Sequence, residues 1–552
     1  MRSQSSALVD FPDQCDGGVI YEQIVRREEL QKCRDSPRNG HNLIVSRYWA
    51  AYNYDSLRRP ASRSCPLPPI VKRADLMMHS QSMHLRRRMM LLGSWFGFFS
   101  LLLSSAATQA EDSGGAPHAA LRPLSLATFD IDATPPLGSM MAYDRVQGLG
   151  ELGLRCRGVV ILGVGEPIVL CAVDWIGIGN QSHDVFREQI AKAAGTTPSR
   201  VAVHTLHQHD APRCDFGAES LLNQVGVSDL GAYDGTYARE MLGRLGAAIQ
   251  QAIPNAKPIT HAGFGTADVK KVASNRRIQD ESGQVVSTRY TATRNAKLRA
   301  LPEGIIDAQL SSLSFWNNDT PLAVLSYYAC HPQSYYRTGI PSPDFPGIAR
   351  FIRSQDAPGP LYLHFNGAGG NIGAGKYNDG SKANRLILAQ RVADAMRESF
   401  ENTSKFKITA DEIAWTTVGV AMPVATHLDR ETLTQGLSQP GGGHPNKLAW
   451  LLRCEMGHTV ELGCLAVGDT RVLHMPGELF VEYQLAAKAM RPDLKVAMAA
   501  YGDYGPGYIG TAEAYGQGGY ETSERASNVA SQVETVLMTG IKTLLEKTES
   551  SK

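Results

Sequence analysis

This chain lacks most of the features that would place it quickly. Its nine cysteines include no Cys-x-x-Cys pair, which argues against a zinc finger. Basic and acidic residues nearly balance, at 55 Lys+Arg and 54 Asp+Glu, and no basic stripe runs through the sequence. No electrostatic footprint for nucleic acid is left. The prominent apolar run, residues 89–103, falls short of the roughly 20 residues of a membrane span. Neither an internal repeat nor a long low-complexity tract is visible, and no protein partner is evident. What remains is a 552-residue chain, 43% apolar and 20% charged, ample for a large core.

The apolar run has a setting of its own. Arg86-Arg87-Arg88 precede it, and Ser104-Ser105-Ala106-Ala107 follow, before Glu111-Asp112. A basic segment, a short apolar segment and small residues predict a signal peptide over 83–110, with an uncleaved anchor as the alternative. The expectation is a secreted or periplasmic protein beginning near Glu111. Residues 1–82 show no periodicity and are expected to be an unstructured extension or to precede the true start near Met83. Residues 111–123 read as a linker, and 124–547 as one catalytic domain. In an oxidising compartment Cys454 and Cys464 could bridge, but separate buried thiols are the favoured reading.

Along the body, strand-like runs alternate with helical patterns, which predicts an α/β fold: a layered mixed β-sheet flanked by helices. Strands are expected at 159–163, 167–173, 200–203, 322–328, 361–365, 470–475 and 495–499. Helices are expected at 182–194, 236–252, 381–400 and 478–490. A last helix has Val529, Val533, Val536, Leu537, Ile541, Leu544 and Leu545 on one face, with Ser523 as its N-cap.

Three places just beyond strands carry metal-ligand chemistry. Val203-His204-Thr205-Leu206-His207-Gln208-His209-Asp210 holds three histidines. In an extended segment His207 and His209 point to opposite faces, so one could ligate while the other works beside the site. Ala329-Cys330-His331 ends a second strand, and Pro476-Gly477-Glu478 a third. Taken alone, His331 reads as an ordinary histidine and Glu478 as a helix-start carboxylate favoured by the dipole. Together, two histidines and a carboxylate form a hydrolytic zinc set with a position open to water.

The residue pattern resembles the neutral/alkaline, non-lysosomal ceramidases. His207-Gln208-His209-Asp210-Ala211-Pro212 is similar to their His-Thr-His-Ser-Gly-Pro. Ala329-Cys330-His331-Pro332 matches their second zinc histidine, and Ser342-Pro343-Asp344-Phe345-Pro346-Gly347 their Ser-Asp-x-x-Gly step. Pro476-Gly477-Glu478, Tyr508-Ile509-Gly510-Thr511, Tyr520-Glu521 and Asn275-Arg276 match further motifs in order. The resemblance implies zinc held by His207, His331, Glu478 and Tyr508. It implies His209 as general acid/base, Tyr520 on the substrate carbonyl oxygen, and Arg276 lining the site. It also implies hydrolysis of a small-molecule or lipid-like amide, with peripheral membrane contact as a further expectation.

Two departures stand out. Gly373 occupies the position of the family's catalytic serine, and the sequence is expected to lack the family's C-terminal immunoglobulin-like domain. The loop Asn366–Tyr377 is unusually rich in glycine, and Gly373 is expected to open room there. Its amides and Lys376 are expected to contact substrate, so that ceramide itself is poorly used. Gly370-x-x-x-x-Gly375-Lys376 also approaches a phosphate-binding loop, with Asp174 as a Walker-B-like carboxylate, but Tyr377 replaces the required hydroxyl residue. A metal-stabilised binding protein or pseudoenzyme on the same fold is the non-enzymatic alternative.

Overall fold

Apolar residues on both faces of the strands require cover on both sides, and the chain provides it three times over. The computed structural model describes residues 123–439 and 441–547. The expected extension 1–82, the signal segment 83–110 and the linker, except Pro123, lie outside the described residues.

The first unit runs β1 (Ser125–Asp132), β2 (Arg155–Leu162), β3 (Ile168–Val173), α1 (Gln181–Ala194), β4 (Val201–Thr205) and α2 (Thr236–Ala252). Its strands lie in the order β4-β3-β2-β1. β1, β2 and β3 are antiparallel neighbours, and β4 joins β3 in parallel after the α1 crossover. The second unit repeats this plan with β5 (His261–Asp268), β6 (Gln309–Asn317), β7 (Thr320–Tyr328), α3 (Asp344–Asp356), β8 (Leu361–Asn366) and α4 (Ala383–Glu401). So does the third, with β9 (Ile413–Val420), β10 (Val460–Val467), β11 (Thr470–His474), α5 (Val481–Met490), β12 (Lys495–Ala499) and α6 (Val533–Lys547). The sequence shows no such repeat. It exists in topology alone, because different apolar residues serve the same alternation.

That alternation builds a shared core. On the second strand of each sheet, Val159 and Ile161, Leu313 and Phe315, and Leu465 and Val467 all join one central cluster. Their neighbours point the other way. Val160 packs outward with Phe186 and Ile190 of α1 and Leu245 and Ile249 of α2. Three sheets thus face one another, and each carries helices on its outer side. This is the layered mixed-sheet α/β fold expected.

Most expected elements recur within a few residues, but two boundaries move. α6 begins at Val533, not after Ser523, whose hydroxyl instead donates to Tyr520 O at 2.6 Å. Glu478 does not start a helix. It lies in a two-residue strand paired in parallel with Tyr508-Ile509, ahead of α5. Cys454 and Cys464 remain separate thiols. A closer pair, Cys156 and Cys171, sits buried on β2 and β3 with sulfurs 3.5 Å apart.

The nucleotide reading of Asp174 fails on its contacts. Asp174 is fully buried and takes a two-pronged ion pair from Arg350 on α3, at 2.6 and 3.0 Å. It also accepts the Arg155 N–H. The pair joins unit one to unit two. Asp174→Ala would leave Arg350 buried and unpaired, so a loss of about 3–5 kcal/mol is expected in urea unfolding. An unchanged midpoint would refute this role.

Candidate metal centre

The loops following β4, β7, β11 and β12 meet at one place. His207 lies two residues past β4 with a left-handed backbone, φ 65°. Such a conformation costs a non-glycine residue roughly 1–2 kcal/mol, and two hydrogen bonds hold it. The His207 N–H donates to Trp175 O at 2.9 Å, and Nδ1 donates to Ile176 O at 2.6 Å. A carbonyl only accepts, so Nδ1 carries the proton. In the neutral ring, Nε2 then presents a lone pair. It faces His331 Nε2 at 3.1 Å and Glu478 Oε2 at 3.3 Å. His331 Nε2 stands 3.1 Å from His209 Nε2 and 3.9 Å from Glu478 Oε2.

His209 is closer than strand alternation allows. β4 ends at Thr205, and the left-handed turn at His207 swings both rings inward, centroids 4.9 Å apart. The expectation of opposite faces is therefore corrected. The ligand atoms of His207, His209 and His331 all lie within 4.8 Å of one another. Two overlapping sets result, His207-His331-His209 and His207-His331-Glu478, and both contain the first pair.

Lone pairs and a carboxylate gathered this tightly repel unless a cation lies among them. One proton on His207 would serve a single contact, whereas a metal ion serves all. Glu478 Oε2 is buried with no hydrogen-bond partner, as a ligand oxygen would be. Ligands about 2.0–2.1 Å from one tetrahedral zinc stand roughly 3.3 Å apart, close to these separations. Burial pushes the pKa of His331 and His209 far down, and neighbouring His207 and Arg276 push the same way. Both rings are thus neutral, the form that binds metal. Burial would raise the Glu478 pKa, but His207 and the hydroxyls of Tyr504 and Tyr508 hold it below its ordinary value.

Aromatic residues frame the centre. Tyr504 donates to Glu478 Oε1 at 2.7 Å. Tyr501 lies over His207, ring centroids 4.8 Å apart, and Tyr508 lies parallel to His331 at 6.3 Å. Tyr143 stacks on His209 at 5.7 Å, with Tyr336 edge-on to the same ring at 5.3 Å. Sequence reasoning missed these four supports: Tyr143, Tyr336, Tyr501 and Tyr504. The Tyr/Gly-rich stretch 501–520 signalled two of them, and nothing marked Tyr143. Tyr504→Phe removes a hydrogen bond that aims the carboxylate, so metal affinity should weaken about 10–100-fold. Competition with a chromophoric chelator measures this, and an unchanged affinity would exclude Glu478 as a ligand supported by Tyr504.

Arg276 and Tyr520 also reach the site. Ser274-Asn275 pairs with Ile372-Gly373, which delivers Arg276. Its Nη1 donates to Tyr508 OH at 3.1 Å, and its guanidinium lies 5.7–5.9 Å from the rings of Tyr290, Tyr508 and Tyr520. Fully buried Glu521 pairs with its Nε at 3.2 Å. Burial works against the charge on Arg276, but Tyr508 and Glu521 outweigh it and raise its pKa.

The glycine-rich loop does something other than expected. A Cβ at Gly373 would meet Thr291 Cγ2 at 2.8 Å and Arg276 Cγ at 3.4 Å, so the position is filled, not open. At Gly370 a Cβ would lie 2.2 Å from Glu478 O, so only glycine lets the loop press against the Glu478 backbone. Loop amides are used internally: Gly367 N–H binds Tyr328 O, Ala368 N–H binds Gln484, and Gly370 N–H binds Leu479 O. Lys376 Nζ donates to the carbonyls of Arg299, Ala300 and Leu301. Lys376 and these loop amides, expected to contact substrate, are thus already engaged within the protein. These contacts also remove the phosphate-loop reading.

No protein-family model matches the chain, and no curated protein does. Solved structures do. The neutral ceramidase from Pseudomonas aeruginosa superposes with a TM-score of 0.56 at 17% identity, over 77% of this chain and 75% of that one. A ceramidase complexed with C2 gives 0.55 at 16% identity, over 77% and 76%. The chain shares the fold of these ceramidase structures, and in it His207, His209 and His331 form a cluster able to hold a metal ion.

Proposed function

We propose that this chain is an exported zinc-dependent hydrolase that cleaves an N-acyl amide bond. The observation that carries the reading is the buried convergence of His207 Nε2, His331 Nε2 and Glu478 Oε2 within 3.1–3.9 Å of one another. These three, with Tyr508, would hold the ion, and zinc when bound supplies Lewis acidity toward a carbonyl and a more acidic water. The likeness in fold to neutral ceramidases and the order of the motifs support the choice of an amide over an ester.

The chain's own residues divide the remaining work. His209 stands beside the ligand pair, its Nε2 3.1 Å from His331 Nε2, where it would accept a proton from the attacking water. It then returns that proton to the leaving nitrogen. The Tyr520 hydroxyl donates to the carbonyl oxygen as negative charge develops there. Arg276, fixed by Glu521 and Tyr508, would orient the substrate. The contacts of Gly373 and Lys376 give no ground for excluding ceramide, so a lipid-like amide remains within the proposed substrate class.

His209→Ala should retain close to one zinc per chain and lower kcat by about 10²–10⁴, the usual range for a general acid/base. Loss of zinc in that variant would move His209 into the ligand set. The wider test is kcat/KM of zinc-loaded protein on long-chain N-acyl amides, small polar amides and esters. Bound zinc without turnover on any of them would favour the binding-protein alternative, which the glycine at the serine position supports. Export is tested by N-terminal sequencing of native protein, where a mature chain retaining residues 1–82 would refute it.

A further inference from the structure

A second histidine pair joins β4 and β11. His204 Nδ1 is 2.8 Å from Ala500 O, and His204 Nε2 is 2.9 Å from His474 Nδ1. The order of donors is forced. Ala500 O can only accept, so His204 carries its proton on Nδ1 and offers a lone pair at Nε2. His474 must then donate from Nδ1, and its own Nε2 is left as a lone pair. Burial drives the pKa of both rings far down, that of His204 to about 3, so neither gains a second proton near neutrality.

The end of this chain is open. His474 Nε2 is buried, the residue being 4% exposed, and has no hydrogen-bond partner. His474 and His204 line a cavity of about 30 Å³, together with Trp415, Gly463, Gly502 and Asp503. That volume suits one water molecule. The other end leads to the metal centre. Ala500 precedes Tyr501, which covers His207, and Tyr504, which binds Glu478. The same turn receives the Thr205 N–H at Tyr501 O.

We propose that His204 and His474 form a one-directional hydrogen-bond relay, terminated by a single bound water at His474 Nε2, that positions the Ala500–Tyr504 turn against the metal centre. The two histidines are positioning residues and touch neither metal nor substrate. The relay stands on its own geometry, whatever reaction the site performs.

The test uses the full chain and does not depend on turnover. Selective ¹⁵N-histidine labelling should show both rings as neutral Nδ1–H tautomers, the minor form of free imidazole. High-resolution diffraction should show one water within hydrogen-bond distance of His474 Nε2. In His474→Leu the donor to His204 is lost, and amide exchange at Thr205 and Tyr501 should quicken about tenfold or more. In His474→Asn the side-chain amide replaces Nδ1–H, so exchange should remain near the native rate. An Nε2–H tautomer on His204, an empty cavity, or equal exchange in the Leu and Asn variants would each overturn the relay. The tautomer measurement needs only native protein, so it decides the matter even if a variant fails to fold.

Discussion

His331→Ala should strip the protein of its metal. His331 Nε2 stands 3.1 Å from both His207 and His209, at the point the two candidate ligand sets share. Alanine removes the one ring besides His207 that both sets need and leaves a buried gap where it stood. Elemental analysis should fall from about one ion per chain to near zero. Affinity should drop by more than the 10–100-fold typical of a merely supporting residue. Added metal should raise the native melting temperature, since it binds only the folded state, and should leave the variant's unchanged. A variant that still holds one ion at native affinity would show that the centre lies elsewhere.

Arg276→Met should destabilise the metal-free protein by about 3–5 kcal/mol, because it leaves buried Glu521 with only the weaker contact to Arg277 at 3.5 Å. The comparison that isolates the charge is Arg276→Met with Glu521→Gln. Neutralising the carboxylate should return a large part of the loss, a coupling well above the few tenths expected for independent sites. Urea unfolding of chelator-treated protein separates this from any effect through metal. If the two substitutions simply add, the guanidinium is held by its three tyrosine rings and not by Glu521.

The sequence carried the strands and the chemistry better than the geometry between them. Most strands of the parallel pairs were legible because they are continuous apolar runs. Strands such as β1 and β9 alternate with polar residues and mix with loop composition. His207, His331 and Glu478 were legible through motif order. The facing of His209 was not, because alternation holds only inside a strand and the left-handed turn at His207 is a property of two backbone carbonyls far away in sequence. Gly373 misled for a related reason. A missing side chain suggests space, but Thr291 and the stem of Arg276 already fill it. Lys376 looked free because the helix end that binds it, Ala296–Ala300, has no sequence link to the loop.

The three-unit plan also bears on how the protein fails. His207 comes from the first unit, His331 from the second and Glu478 from the third, so no unit holds a complete ligand set. Each unit closes its own sheet through contacts of modest sequence separation, whereas bringing the three ligands together requires long loops to close. Metal uptake is then expected among the last events of refolding. In the reverse direction, a chain with one unit loosened should keep most of its helix and strand and yet release any ion it holds. Metal release, not loss of secondary structure, is then the expected earliest sign of damage during heating or storage.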